Sequence, residues 1–377
     1  MTDVLEHYRF LHAIPEPGFK EYKTAAYVAK TLKGIGYEVQ DNVAGSTGIV
    51  AVYDSGNPGP SLGLRADMDA LPHIIDGKRE YRHTCGHDAH VAMLLSAAEE
   101  IKKKKLVKKG RLKFIFQPAE ELGQGALKML EGGAVNDIDI LIGMHIRPKQ
   151  ECPAGSIICS MLYSATCIFK VKLQGVPSHG ARPHLGINPI DAAVAAIVAV
   201  NSIHMDPRIP FSVKCTQLHA DGGAFNAIPG FAELSFDLRS QNNGTMKEMK
   251  EKTLTAIEHG VASVGAKVAG YEYCSVLPAA DGLDKEVAEL IAQCACEIVG
   301  SNNVIPAFQT SGGEDFFHYT VNRPHIKAGF IGLGVGAEPI LHHPDMHFDV
   351  SKLKNGVEME TKLVQKILGY VPPKSAR

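Results

Sequence analysis

The 377-residue chain lacks an excess of either charge: 39 Lys and Arg stand against 41 Asp and Glu, a net charge of −2. The basic surplus that phosphate backbones and anionic membranes demand is absent, so neither nucleic acid nor a membrane surface is an expected partner. Long hydrophobic runs are also missing. The nearest approach, AAVAAIVAV at 192–200, is far short of the ~20 apolar residues of a membrane span and reads as a buried helix. Eight cysteines (85, 152, 159, 167, 215, 274, 294 and 296) follow no paired framework. In a chain of this size that excludes a small disulfide scaffold and points to reduced thiols in the cytoplasm. The start, MTDVLEHYRFLHAIPEPG, offers no basic segment followed by an apolar one, so no leader is expected. Repeats and low-complexity segments are absent too. The rest is ordinary globular composition, 45% hydrophobic and 21% charged, at a length that favours two domains.

Helical spacing of apolar residues covers Thr2–Leu11 and Lys20–Lys33, the second stopping at Gly34. Short apolar runs follow at 48–54, 60–67, 111–121 and 139–146, with helices expected near 90–105 and 123–132. Strands alternating with helices predict an α/β domain whose sheet is mixed but mostly parallel and flanked by helices. From Thr166 the texture changes to strand, helix, two strands, helix, strand, the split βαβ pattern of an α+β, ferredoxin-like domain. After Leu277 the α/β texture returns, with helices near 284–299 and 351–369 around the run AGFIGLGVG. The expected organisation is a catalytic domain from 1–164 and 277–377, interrupted by an inserted domain at 165–276. The lysine run IKKKKLVKK at 101–109 reads as a solvated helix end.

Four strand-like runs end in residues able to bind a metal or move a proton: Asp67 and Asp69, Glu120 and Glu121, His145, and His342 with His343. In an open parallel sheet ligands bind beyond the C-terminal strand ends, where residues far apart in sequence converge. The stretch YRHTCGHDAH at 81–90 adds a thiol and three imidazoles. Cys85 and His87 flank a glycine, and an extended backbone there would point both side chains the same way. Such a donor set suits a borderline divalent ion. Taken alone, the stretch also reads as a polar turn, or as a cysteine nucleophile with a histidine base. The pair Glu120-Glu121 favours metal-assisted hydrolysis, because one carboxylate can bind a metal while its neighbour takes a proton from activated water.

RADMDALP (65–72), HTCGHDAH (83–90), FQPAEE (116–121), GMH (143–145), HGARPH (179–184), NAIP (226–229), DLR (237–239), GGEDF (312–316) and LHHP (341–344) follow one another along nearly the whole chain. In order and spacing they resemble the aminoacylase, hippurate hydrolase and auxin-conjugate hydrolase family of metallopeptidases, and look most like its short AmhX-type amidohydrolases. The resemblance implies a phosphorylase/hydrolase-like catalytic domain with an inserted lid or dimerisation domain. It also implies two divalent ions (Zn, Mn, Co or Ni) held by Cys85, His87, Glu121, His145 and His342. His342 is preferred to His343 because it occupies the L-H-x-P position. Glu120 would be the general base, and Asp69 would orient a ligand, with His83 and His90 as further supports. His179 would stabilise the oxyanion, in relatives often from the partner subunit. Asn226 and Arg239 would hold the substrate α-carboxylate, and Gly313 would line the substrate pocket. Many relatives carry serine or alanine at that last position, so a roomier acyl pocket or a looser loop is expected here. The segment between Pro72 and Cys85 is shorter than in long-form relatives, so the substrate mouth is expected to differ.

The activity implied is hydrolysis of the amide bond of N-acyl-amino acids by metal-activated water. A dipeptidase or small carboxypeptidase using the same centre is the alternative. A cysteine hydrolase leaves Glu120, Glu121 and His145 without a role, and a non-catalytic binding protein leaves the full set of motif residues unexplained. Assembly as a homodimer through the inserted domain is offered by the resemblance alongside a monomer.

Overall fold

The computed structural model describes residues 3–369, and its chain divides into two compact units. One runs to Met161 and resumes over Gly282–Gln309 and from Asp315 onward; the other is Leu162–Asp281 with Thr310–Glu314. The short segment 310–314 thus groups with the inserted unit, a detail the boundaries 164/165 and 276/277 drawn from sequence do not contain.

The first unit is built on an eight-stranded sheet in the spatial order 38–40, 49–54, 111–117, 61–67, 140–148, 327–337, 157–158, 304–305. The four central strands, from 111–117 to 327–337, run parallel, and antiparallel pairs join 38–40, 49–54 and 157–158 to them. A parallel sheet is covered on both faces, and the strand Ser61–Asp67 is accordingly buried at every position. Helices Val4–His12, Tyr22–Ile35, His87–Lys104, Lys285–Val299 and Leu353–Leu368 pack on it and on one another. The third of these is buried at every residue from His87 to Ala98 and ends in lysines. That polarity change is what the run at 101–109 foreshadowed: Lys103 to Lys105 are exposed, while Lys102 lies 4.4 Å from the Tyr53 ring centroid. Close packing is visible at Gly143, where a Cβ would come within 2.7 Å of the Phe330 ring.

One local expectation needs correction. The helix begun at Tyr22 runs past Gly34 and stops at Gly36, which takes the left-handed conformation (φ 91°) of a terminating glycine. The expected helix start at Thr2 lies outside the described residues, and the helix is seen over Val4–His12. A hairpin, Leu71–Ile75 with Lys78–Arg82, fills the segment before Cys85 and turns on Asp76 (φ 50°) and Gly77 (φ 74°).

The second unit holds a four-stranded antiparallel sheet in the order 211–219, 231–240, 165–174, 267–277, with helices Pro189–Asn201 and Asn243–Ser263. The helices cover one face, where alternate residues of Ala165–Gln174 (Phe169, Val171, Leu173) enter a core with Ala196, Ile257 and Phe236. This is the mixed, mostly parallel α/β sheet with an α+β split-βαβ insertion that the sequence texture predicts.

Candidate metal centre

The expected donors of the first unit gather toward the C-terminal ends of the central strands. His87 opens the helix His87–Lys104, and Gly86 before it is left-handed at φ 86°. The backbone from Cys85 to His87 is therefore a helix start, not the extended segment expected from its spacing. Only glycine fits, since a Cβ at residue 86 would lie 2.3 Å from Ile146 Cδ1. Glu120 and Glu121 stand on a turn after the strand Arg111–Gln117, His145 lies inside the strand Ile140–Pro148, and the His342 amide donates to the Thr84 carbonyl at 2.8 Å.

Their donor atoms interlock. Cys85 Sγ is 3.3 Å from His145 Nε2 and 3.3 Å from His342 Nε2. His342 Nε2 is 3.4 Å from Glu121 Oε1, and His87 Nε2 is 3.7 Å from the same oxygen. Three groups result, Cys85–His87–His145, Cys85–Glu121–His342 and His87–Glu120–Glu121, which share members. Ligand atoms bound at ~2.0–2.3 Å to one tetrahedral ion stand roughly 3.3–3.8 Å apart, which is the spacing found here. His87 Nε2 and Glu121 Oε1 are buried without a hydrogen-bond partner, an expensive state for polar atoms unless something binds them. Borderline donors at ligand spacing, two of them orphaned, fit a divalent-metal site. His343 lies apart, its Nδ1 accepting the Asp345 N–H at 3.1 Å.

Electrostatics leads to the same fit. Burial, then the charge of Glu121, pushes the Cys85 thiol well above its ordinary value. Burial likewise lifts Glu121 to about 7, and burial followed by the charge of His90 and Arg147 keeps the His145 imidazole neutral. Without a cation the cluster holds its protons; a cation displaces them and supplies the missing charge.

A polar layer stands behind these donors. Asp69 accepts the amides of Glu120 and Glu121 at 3.0 and 3.1 Å, and its Oδ1 lies 3.3 Å from His87 Nδ1, which leaves Nε2 facing the cluster. His145 Nδ1 lies 2.5 Å from the Ile146 carbonyl, with the same effect on its tautomer. His90 Nδ1 is 2.6 Å from Asp67, and its Nε2 accepts the Ile146 N–H at 2.9 Å. Both ring nitrogens of His83 are buried without a hydrogen bond.

Sequence reasoning missed Arg65. Its fully buried guanidinium reaches Asp67 at 2.7 Å, Asp315 at 3.0 Å and Gln117 at 3.0 Å. Asp315 also accepts the Ala126 amide, and its own N–H lies 3.4 Å from Glu120 Oε1. The signal was present, because Arg65 and Asp315 belong to the RADMDALP and GGEDF motifs.

In the second unit, Ser178–His179 pairs with Ala227–Ile228. His179 Nδ1 accepts the Ala181 N–H at 3.0 Å, which puts the proton of a neutral ring on Nε2, 3.3 Å from the Asn226 side-chain amide. Arg239 is oriented by Asp237 at 3.0 Å and by the Ser311 carbonyl at 3.2 Å. Gly313 does not widen anything: a Cβ there would lie 2.7 Å from Leu277 Cδ1 and 2.9 Å from Thr166 Cγ2, so its space is already filled.

Comparison with known proteins agrees with this geometry. The family model described as Peptidase family M20/M25/M40 matches residues 63–366. An N-acetyl-L-cysteine deacetylase of Bacillus subtilis is 30% identical over 353 residues, 90% of this chain and 82% of that protein. Thermostable carboxypeptidase 1 of Saccharolobus solfataricus is 35% identical over 260 residues, 66% of each chain. A crystal structure of a Bacillus subtilis protein, described as a dinuclear metal-binding peptidase of the M20 family, superposes with a TM-score of 0.81 at 27% identity, covering 97% of both chains. Thiol, imidazoles and paired glutamates at the strand ends, and a family match running from the strand of Asp67 to the last helix, have one common account: the chain belongs to peptidase family M20/M25/M40.

Proposed function

We propose that this protein hydrolyses the amide bond of N-acyl-amino acids at a dinuclear metal centre, releasing a carboxylate and a free amino acid. The observation that carries the reading is the pair of donor groups that meet at Cys85, together with the glutamate that stands beside them. Cys85, His87, Glu121, His145 and His342 would hold the two ions. A thiolate among imidazoles and a carboxylate suits Zn²⁺, with Mn²⁺, Co²⁺ and Ni²⁺ as alternative occupants. When bound, the ions supply Lewis acidity, which acidifies water and polarises the scissile carbonyl.

The chain's own residues do the rest. Glu120, oriented by the Asp315 amide and by its own N–H on Asp69, takes a proton from the attacking water and passes it to the leaving nitrogen. Asp69 orients His87 and the glutamate turn. His179 donates its Nε2–H to the developing oxyanion, an interaction worth ~3–4 kcal/mol in the transition state. Arg239 and Asn226 receive the α-carboxylate, and Arg239 is held for that task by Asp237. Gly313 is the close-packed end of the segment whose Ser311 carbonyl orients Arg239.

The relative named a carboxypeptidase favours a second reading, a dipeptidase or small carboxypeptidase with the same residues in the same roles. Assays with acetyl-, benzoyl- and indoleacetyl-amino acids beside simple dipeptides separate the two. With metal content measured in parallel, Glu120→Gln is expected to keep its metal and lose turnover; substantial residual hydrolysis would remove Glu120 as the base.

Setting and assembly complete the reading. All eight cysteines are unpaired, which fits a reducing, cytoplasmic compartment, and no described helix is long and apolar enough to cross a membrane. Ile190, Val194 and Val198, spaced four apart, leave an apolar stripe on the helix Pro189–Asn201 that is 37%, 54% and 60% exposed. That stripe supports a homodimer through the inserted unit, to be tested by the molar mass of wild type and Val194→Lys in solution.

A further inference from the structure

The turn that carries Glu120 and Glu121 begins at Ala119, whose φ of 52° is left-handed. A residue with a side chain adopts that state only where its surroundings impose it. Three successive amides leave this turn toward two buried carboxylates. Asp69 receives those of Glu120 and Glu121; Glu21, 98 positions earlier in the chain, receives that of Ala119 at 2.8 Å. Glu21 belongs to none of the nine motifs.

The surroundings of Glu21 suggest a dedicated part. It is 0% exposed. The same Oε1 that binds Ala119 also accepts the Phe19 N–H at 3.0 Å, and Phe19 is itself left-handed at φ 61°. Oε2 accepts the Thr47 hydroxyl. One carboxylate therefore pins two left-handed residues from distant parts of the chain. The segments also press together, since a Cβ at Gly18 would lie 3.0 Å from both Ala119 Cα and Cβ. The bland explanation is that Glu21, at the N-terminal boundary of the helix Tyr22–Ile35, caps that helix. Its side chain makes no capping bond there. Glu16 caps instead, accepting the amides of Lys23 at 2.9 Å and Thr24 at 3.0 Å.

We propose that Glu21 is a positioning residue for hydrolysis: through the Ala119 amide it fixes the turn that aims Glu120 at the attacking water and Glu121 at the metal. This rests on the roles proposed above for Glu120 and Glu121. The three partners of Glu21 are all donors, which an ionised carboxylate satisfies without rearrangement. An isosteric amide keeps the oxygen for Ala119 and Phe19 and turns its NH₂ to the Thr47 oxygen, so Glu21→Gln is the conservative rescue.

The full-length protein is compared with Glu21→Ala, Glu21→Gln and Thr47→Val in three measurements: kcat and KM on the wild-type substrate, Zn²⁺ affinity of the metal-free protein against a competing chelator, and the melting midpoint. For Glu21→Ala the expected result is kcat down about 10–100-fold with KM within about threefold, and Zn²⁺ affinity down on the order of tenfold. Glu21→Gln recovers most of both losses, and Thr47→Val sits between Gln and wild type. A cooperatively melting Glu21→Ala with kcat and Zn²⁺ affinity within about twofold of wild type overturns the proposal, as does a folded Glu21→Gln that is as impaired as alanine. Should Glu21→Ala fail to fold, Thr47→Val decides: a loss in kcat at unchanged KM supports the positioning role, and unchanged kcat overturns it. Full turnover in Glu120→Gln would instead remove the base itself, a failure of the functional reading that the Zn²⁺ affinities of the Glu21 variants do not share.

Discussion

Replacing Arg65 by methionine is the most informative single perturbation of the polar layer, because it removes a charge and its hydrogen bonds while nearly preserving volume. Asp67 and Asp315, both fully buried, would lose their shared cation, and Gln117 would lose a donor. Deleting one partner of a buried pair costs about 3–5 kcal/mol, a large part of the ~5–15 kcal/mol that holds a typical domain folded. At roughly 2–4 °C per kcal/mol for a large domain, the melting midpoint should fall by on the order of 10 °C. Thermal and urea unfolding followed by circular dichroism measures this, with chelator present throughout so that metal binding does not mask the difference. Glu297→Gln is the control. Glu297 meets Lys362 and Lys366 at 2.8 Å on the surface, where solvent screens the pairs, and its loss should leave the midpoint unmoved. Adding Asp315→Asn to Arg65→Met removes one stranded charge and should regain part of the stability. An Arg65→Met protein within about 1 kcal/mol of wild type would refute the reasoning.

Zn²⁺ binding to the metal-free protein should release at least one proton at pH 7, because burial keeps the Cys85 thiol protonated and holds Glu121 near 7. Calorimetry in two buffers of different ionisation enthalpy reads the release directly, and a heat independent of buffer would contradict it. Gly86→Ala should lose metal affinity by tenfold or more, since the new Cβ meets Ile146 and the left-handed backbone is strained; unchanged Zn²⁺ affinity would show that the turn has slack. Glu360 is buried with Oε2 unpartnered, and burial raises its pKa well above the ordinary value. Below its unfolded pKa both states hold the proton; as pH rises above that, the unfolded state ionises first, so stability falls until the folded pKa is passed. Glu360→Gln should therefore flatten the decline that sets in as pH rises above the ordinary carboxylate range, and parallel curves for the two proteins would disprove it.

The strands and helices of both units were legible because their signals are local. Ser61–Asp67 and Ile140–Pro148 open on short, largely apolar stretches, SLGL and ILIGM, and Ala165–Gln174 alternates inward and outward residues. The hairpin at 71–82 escaped notice because LPHII is short and broken by a proline and KREYR is short and polar, although Asp76-Gly77 is a good hairpin-turn dipeptide. Gly34 and Gly36 were equally good stops by composition, and only the packed helix shows which one turns left-handed. At Cys85–His87 the departure is one of period: an extended backbone would place the glycine mid-segment, whereas it is the N-terminal boundary of a buried helix.

The site divides along the same line. The five proposed donors were marked by the resemblance of their motifs, in order and spacing, to those of a metallopeptidase family rather than by their local elements, since Cys85 and His87 stand at a helix start. What holds the donors was legible only in part: Asp69 and His90 stood in the motifs as expected supports, but other holding residues did not stand out. Gly313 looked like an opening because Leu277 and Thr166, which fill its space, are distant in sequence. Glu21 looked like any acid before a helix, and Arg65 like any arginine near the end of a strand. Each is distinguished by burial without water, a property of the partner rather than of the residue. Ala119, Asp67 and Asp315 make those two side chains what they are. The chemistry of the centre can therefore be read from its donors, while its precision depends on polar residues that sequence leaves indistinguishable from surface ones. Substitutions at Glu21 and Arg65 should for that reason separate metal binding and rate from substrate affinity.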